Sequence, residues 1–267
     1  MLKVALGQFA VGKTWEENAQ TCRDLMARAQ AGGADLLVLP EGILARDITD
    51  PDIVKRTAQP LDGPFVTQLR EASRGSRMTT TMCVHSPAHG GRIWNTHIAI
   101  RDGEFVAQYR KLHLYDAFST RESDNVVPGA DVPPLIEVAG MKVGLMTCYD
   151  LRFPELARRL VMDGAELLVL SAAWVKGPLK EMHWGVLVTA RALENTTYVV
   201  ATGECGVRNI GRSMVVDPLG VVIASAAEAP ALLFAEIDPA RLAHARKALP
   251  VLQNLRFARP ELQSTGR

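Results

Sequence analysis

Apolar positions along the chain switch between two periods. Leu2 to Phe9 carries Val4, Leu6 and Phe9 in a short β-rich run. A spacing of three and four follows, placing Trp15, Ala19, Cys22, Leu25, Met26 and Ala29 on one helical face. Thr14 with Glu17 three residues on forms a capping box that starts this helix, and the pair Gly32-Gly33 ends it. Asp35 to Leu39 then reads as a continuous apolar strand. Strand, helix and strand predict a β-α-β unit with parallel strands buried on both faces.

The same pattern recurs. Met141 to Cys148 echoes Leu2 to Phe9, and Gly164 to Leu170 echoes Gly33 to Leu39, with a helix begun by Pro154 between the second pair. The echo predicts an internal two-fold repeat, against the alternative of two apolar units alike by chance: two α/β halves whose sheets pack face to face with helices outside. Further strands are expected at Met78 to His85, Trp94 to Arg101 and Glu104 to Tyr109, the last two joined by an Asp102-Gly103 hairpin turn. Thr196 to Thr202, Arg212 to Val216 and Val221 to Ala224 also read as strands, and Met182 to Leu193 as a helix. Ser119 to Pro134 is a polar, Pro/Gly-rich loop without the character of a linker. The chain of 267 residues is therefore expected to form one domain, 1–267, whose weakly periodic tail, 249–267, wraps a partner subunit or is partly disordered.

Composition narrows the function classes. Hydrophobic residues at 48% and charged residues at 22% exclude a disordered or collagen-like chain. Lys+Arg 30 against Asp+Glu 29 leaves a formal charge of +1, which speaks against nucleic acid as a partner. No apolar stretch approaches the roughly 18 residues of a membrane span, and the N-terminal run reads as a strand rather than a signal peptide. Four widely spaced cysteines, Cys22, Cys83, Cys148 and Cys205, form neither a zinc ribbon nor a disulfide framework, so reduced thiols in the cytoplasm are expected.

Ligands and catalytic groups in α/β sheets collect past the carboxyl ends of strands, which nominates Glu41 after one strand and Cys148 after another. Cys148 ahead of the Pro154 helix reads either as an exposed nucleophile on a strand-to-helix elbow or as a small buried hydrophobe. Cys205, in Gly203-Glu-Cys-Gly206, is a weaker rival; Cys22 and Cys83 read as core. Glu41 is either a solvated loop residue or a partly buried carboxylate whose pKa is raised for proton transfer. Strand alternation puts Lys111 on one face with Tyr109, His113 and Tyr115, where His113 reads as a hydrogen-bonded structural residue. The six histidines lack ligand spacing with carboxylates or thiols, so no metal site is expected.

The local contexts of the three groups are specific together. Leu39-Pro-Glu41, Tyr109-Arg-Lys111-Leu-His-Leu114 and Thr147-Cys148-Tyr-Asp-Leu-Arg-Phe-Pro-Glu155 resemble the three signatures of the nitrilase superfamily of carbon–nitrogen hydrolases, in order and over essentially the whole chain. The resemblance implies a four-layer αββα sandwich, a homodimer or larger assembly, and a Glu-Lys-Cys triad falling on Glu41, Lys111 and Cys148. A second glutamate of many members corresponds to Glu122. Under this reading Cys148 is the nucleophile, Glu41 the general base and acid, and the Lys111 ammonium with the Tyr149 backbone N–H the oxyanion donors; no metal or organic cofactor is required.

Within the superfamily, Lys111 to Phe118, Glu122-Ser123, Ala172 to Glu181 with His183-Trp184, and Gly203 to Gly206 with Asn209-Ile-Gly211 resemble the deaminated glutathione amidase branch. That implies cleavage of a small amide carrying two carboxylates into 2-oxoglutarate and cysteinylglycine, with Arg121, Arg152, Lys176 and Arg208 as candidate cations. Trp174 is a candidate pocket wall, with a core or interface aromatic as the other reading. The rival readings are an ω-amidase acting on 2-oxoglutaramate and a catalytically silent binding scaffold.

Overall fold

A computed structural model describes residues 1–50 and 52–263. In chain order the elements are β1 (Leu2–Gln8), α1 (Trp15–Ala31), β2 (Leu36–Val38), α2 (Ile53–Arg56), α3 (Pro64–Ser73), β3 (Thr79–Pro87), β4 (Ile93–Arg101) and β5 (Glu104–Arg110). A small hairpin, β6 (Asp116–Ala117) and β7 (Thr120–Arg121), follows, then β8 (Ile136–Val138), β9 (Met141–Thr147), α4 (Pro154–Met162), β10 (Leu167–Ala172) and α5 (Lys180–Asn195). The chain continues through β11 (Tyr198–Gly203), β12 (Met214–Val216), β13 (Val222–Ser225), β14 (Ala231–Ile237) and α6 (Pro239–Ala248).

The expected repeat is present and extends further than its sequence echo. One sheet runs β14-β1-β2-β3-β4-β5 and the other β8-β9-β10-β11-β12-β13. Read in that direction, both are antiparallel, parallel, parallel, antiparallel, antiparallel. Even the irregularity is repeated: the last pair of each sheet carries a register shift, at Ala99/Ile100 and at Val215/Val216. α1 and α4 join the first parallel strands of each half; α3 and α5 lie between the next two.

Strand alternation makes the layers. Leu2, Val4, Leu6, Leu36 and Val38 share a central cluster with Val143, Leu145, Leu167, Val169 and Val200 of the opposite sheet. Their neighbours Ala5, Leu37 and Leu39 turn outward onto Cys22, Leu25 and Met26 of α1 and Phe65 and Leu69 of α3. Met146, Leu168 and Leu170 do the same against Leu160 of α4 and Trp184 and Val188 of α5. With both faces covered, these strands must be apolar throughout, and each buried Leu or Val contributes about 1.5–3 kcal/mol. The αββα sandwich follows from these three clusters.

Local signals act as expected at the boundaries. Thr14 caps α1 by accepting from the Glu17 N–H at 3.4 Å, and the helix stops at Gly32. The turn between β4 and β5 places Asp102 at φ 50 and Gly103 at φ 78, as a two-residue hairpin requires. Strand β5 ends at Arg110, so Lys111 sits just past it rather than within it. Helices α2, α3 and α6 and strands β6, β7, β8 and β14 are additions to the elements expected from sequence, β7 lying in the stretch read as a loop. The described part of the tail, 249–263, returns to its own α4, where Arg159 donates to the Pro260 carbonyl at 2.8 Å and Arg259 pairs with Asp163 at 2.7 Å; positions 264–267 lie outside the described residues. Among the described residues no helix is long and apolar enough to cross a membrane.

At Gly203, the last residue of β11, a Cβ atom would stand 2.1 Å from the Gly211 carbonyl oxygen, a backbone atom that cannot swing aside. Gly203→Ala should therefore cost about 1–3 kcal/mol by overpacking, read as a lower urea midpoint at unchanged m; a midpoint equal to that of the parent refutes this close approach.

Candidate active site

Four carboxyl-terminal strand ends converge where the sheets meet. The loop after β2 presents Glu41, the end of β5 presents Lys111, the end of β9 presents Cys148, and the end of β10 presents the Ala173 N–H. Ser171 ties the two homologous strand ends together by donating to the Leu39 carbonyl at 2.7 Å. Glu41 and Lys111 are almost fully buried.

One Glu41 oxygen accepts from the Lys111 Nζ at 2.9 Å and from the Asn95 Nδ2 at 2.8 Å, while the other accepts from the Ala173 N–H at 3.0 Å. The Cys148 thiol lines the same cavity as this carboxylate. Glu122, in a short 3-10 turn after β7, holds the other side of Lys111 at 2.9 and 3.2 Å. Its own position is set by the Tyr115 N–H at 2.6 Å and by Asn95 at 3.3 Å. Glu41, Lys111, Glu122 and Cys148 are thus brought together around one cavity of about 400 Å³.

The elbow at Cys148 is locally strained and locally braced. Cys148 opens a 3-10 turn, Cys148–Arg152, at φ 43, a left-handed backbone that costs a non-glycine residue about 1–3 kcal/mol. Asp150 offsets this. One of its oxygens accepts from the Thr147 N–H at 2.9 Å and the Tyr109 hydroxyl at 2.8 Å; the other accepts from the His113 N–H at 3.2 Å and lies 2.7 Å from His113 Nδ1. His113 stacks on Phe153 at 3.7 Å between ring centres, so it has the structural role read from its sequence context. Tyr149 stands in the first turn of this 3-10 segment, where backbone N–H groups have no acceptor within the helix.

The electrostatics differ from the sequence expectation at Glu41. Burial does push its pKa up, but the Lys111 ammonium, with the Cys148 and Asn95 donors, outweighs burial and holds the carboxyl below its usual range. The competing partner lies 70 residues away, so no local reading could include it. Burial opposes the Lys111 charge, yet the flanking carboxylates of Glu122 and Glu41 keep it an ammonium, with its pKa well above normal. Burial and the Glu41 charge push the Cys148 thiol up, only partly countered by Lys111. The resting set is a carboxylate, an ammonium and a neutral thiol.

Of the remaining candidates, Arg121 and Trp174 line the cavity, Arg121 on the exposed rim beside Asp124 and Trp174 buried edge-on against Trp184. Arg152 is not part of the lining and stacks over the Trp174 ring at 4.8 Å. Lys176 and Arg208 lie outside the lining; Lys176 donates to the Gly206 carbonyl at 2.9 Å, and the Arg208 side chain is exposed. Cys205 is buried beside Phe9 and does not reach the cavity. The lining adds Tyr115, which strand alternation had put on the face of Lys111, and Asn95, His85, Arg46 and Lys180, which sequence reasoning had given no role. Among the described residues no group of three or more His, Cys, Asp and Glu side chains is arranged to hold a metal ion.

This geometry sets a thiol, a carboxylate and an ammonium group around one cavity in an αββα sandwich. Residues 3–247 match the family model described as carbon-nitrogen hydrolase, and the chain belongs to that family, the nitrilase superfamily. It is similar to the deaminated glutathione amidase of Escherichia coli O157:H7, 55% identical over 97% of this chain and 99% of the relative. The Bos taurus protein of the same name is 37% identical over 95% of this chain and 81% of its own length. The crystal structure of the C. elegans NitFhit protein superposes with a TM-score of 0.88 at 31% identity, over 96% of this chain; the match spans 65% of that longer chain.

Arg46 connects the site to a second buried acid. Its Nε lies 2.7 Å from Glu204, without directing its hydrogen at the oxygen, and Asn209 donates to the same carboxylate at 2.5 Å. Burial nonetheless raises the Glu204 pKa to about 7. A folded-state pKa above the unfolded one makes the stabilising contribution complete below about pH 4.3 and lost as pH rises through about 7. The difference in unfolding midpoint between parent and Glu204→Gln should therefore shift against the parent between pH 5 and pH 8; a pH-independent difference in thermal denaturation refutes the buried-acid account.

Proposed function

We propose that this hydrolase cleaves the amide bond of deaminated glutathione, releasing cysteinylglycine and 2-oxoglutarate through a thioester on Cys148. The reaction rests on one observation: a single buried carboxylate, Glu41, holds the Lys111 ammonium and a backbone N–H of the opposite sheet in the cavity that the Cys148 thiol also lines. The substrate rests on the 55% identity to a relative of that name. A cavity of about 400 Å³ suits a molecule of this size.

In this mechanism the Cys148 sulfur attacks the amide carbonyl carbon as Glu41 takes the thiol proton. Because the thiol pKa is raised and that of Glu41 lowered, the transfer is uphill at rest and must accompany carbon–sulfur bond formation. The carbonyl oxygen becomes an oxyanion between the Lys111 ammonium and the Tyr149 N–H, each donor contributing about 2.7–4 kcal/mol. Glu41 returns the proton to the departing amine, which leaves as cysteinylglycine. It then deprotonates a water that attacks the thioester, and collapse of the second oxyanion releases the acid and restores the thiol. Glu122 holds Lys111 toward the reacting oxygen throughout.

The chain acts as one catalytic domain, as a homodimer or larger homo-oligomer, in the cytoplasm. Its four unpaired cysteines suit a reducing compartment.

Cys148→Ala should lower hydrolysis by about 10⁴-fold or more while leaving the thermal midpoint near that of the parent, and quenched mass spectra should show an acyl mass on the peptide containing Cys148 in the parent only. Turnover near the parental rate in this variant sinks the mechanism. Side-by-side rates on deaminated glutathione and 2-oxoglutaramate test the substrate: a preference for the small amide overturns it in favour of an ω-amidase.

A further inference from the structure

Lys180 is the buried cation that the proposed mechanism leaves without a task. It opens α5 at the head of the buried face that continues through Trp184 and Val188, is only 3% exposed, and lines the same cavity as Cys148. Two features turn it inward. Leu179 precedes it at φ 59, a left-handed backbone that redirects the chain, and Trp174 Nε1 donates to the Lys180 carbonyl at 3.1 Å. The ammonium donates to the Tyr115 hydroxyl at 2.8 Å and lies 3.8 Å from the Phe118 ring centre, 5.1 Å from Tyr115 and 5.8 Å from Trp174.

What it lacks is an anion. Lys111, also with almost no exposed surface and more deeply enclosed, has two carboxylates; Lys180 has none among the described residues, and neither does Arg152, which stacks on the same Trp174 ring. Arg152 Nε is also buried without a hydrogen-bond partner. Two like charges meeting on one indole repel, and burial together with Arg152 lowers the Lys180 pKa. A protein keeps a cation desolvated and uncompensated at a cost, which a bound anion removes.

We infer that Lys180, within the Tyr115, Phe118 and Trp174 aromatic box and seconded by Arg152, is the subsite for a carboxylate on the acyl half of the substrate. The acyl half is chosen because it stays bonded to Cys148 while the amine departs: the enclosed cation serves what remains, and the exposed Arg121 on the rim faces what leaves. Phe118 roofs the box from the turn of the β6–β7 hairpin, where Phe118 and Ser119 both have positive φ. This inference rests on the carboxylate-bearing substrate proposed above.

The test uses the full chain and needs no turnover. Alkylation of Cys148 by iodoacetamide is followed by mass spectrometry with increasing 2-oxoglutarate, each variant normalised to its own rate without ligand. Pentane-1,5-diol, of the same length but uncharged, is the parallel probe. In the parent, 2-oxoglutarate should protect Cys148; in Lys180→Met the concentration for half protection should rise about 10- to 100-fold, in Lys180→Arg much less, and protection by the diol should change little. No protection in the parent, equal half-protection in parent and Lys180→Met, or equal loss with both probes overturns the subsite. Lys180-dependent protection in a protein that does not hydrolyse deaminated glutathione upholds the subsite and removes the substrate reading instead.

Discussion

The ion pair between Glu41 and Lys111 is the constraint around which the structure is arranged. Two charges taken out of water lose hydration worth several kcal/mol each, and mutual attraction repays this only when the remaining hydrogen-bonding capacity is filled. Here it is filled: Asn95 and Ala173 complete Glu41, and Glu122 completes Lys111. These groups come from both sheets, so the pair is satisfied only once the halves have closed on each other. Removing one member leaves the other as an uncompensated buried charge, so the chemistry and the sheet packing depend on the same contacts.

The repeat explains how both halves reach this point. Two sheets of identical order, related by the correspondence of β1 with β9 and β2 with β10, bring the homologous ends of β2 and β10 together, where Leu39 and Ser171 are bonded directly. The chemistry breaks the symmetry. The first half contributes Glu41 after β2 and Lys111 after β5; the second contributes Cys148 after β9 and a backbone N–H after β10. Phe9, the counterpart of Cys148, packs in the core, and Ala172 answers Glu41. A symmetric frame thus places unlike groups against each other.

The paired β-α-β units are legible in the amino-acid sequence because strands covered on both faces need unbroken apolar runs, and because Thr14, Gly32 and Pro154 mark helix ends locally. Strand β14 is not legible: it is an edge strand whose residues are mostly half-buried, so its pattern lacks contrast, and its partner β1 lies at the other end of the chain. Helix α6 buries only Leu242 and Ala245. At the site, Glu41, Lys111 and Cys148 are ambiguous one by one and become specific through their flanking motifs. Lys180 lies inside the Ala172 to Glu181 stretch, but nothing in that stretch marks it as a group of the cavity. Its place at the head of the face that buries Trp184 and Val188 is set by helical periodicity, but a lysine there reads as a solvated first-turn residue until Trp174 and the β6–β7 hairpin close over it.

A resting thiol, rather than a thiolate, follows from the same buried charges and bears on how the enzyme survives between turnovers. The thiolate is the form that oxidants attack, so a cysteine held protonated by burial and by a neighbouring carboxylate is shielded while the cavity is empty. In the proposed mechanism the carboxylate that suppresses ionisation is also the acceptor that removes the proton. The switch between these roles needs an electrophilic carbonyl, because the negative charge then passes from sulfur to an oxygen facing Lys111 instead of accumulating beside Glu41. Nucleophilicity is thereby tied to occupancy of the cavity, and the strain held at Cys148 by the Asp150 brace keeps the sulfur on that trajectory without a movement of the backbone.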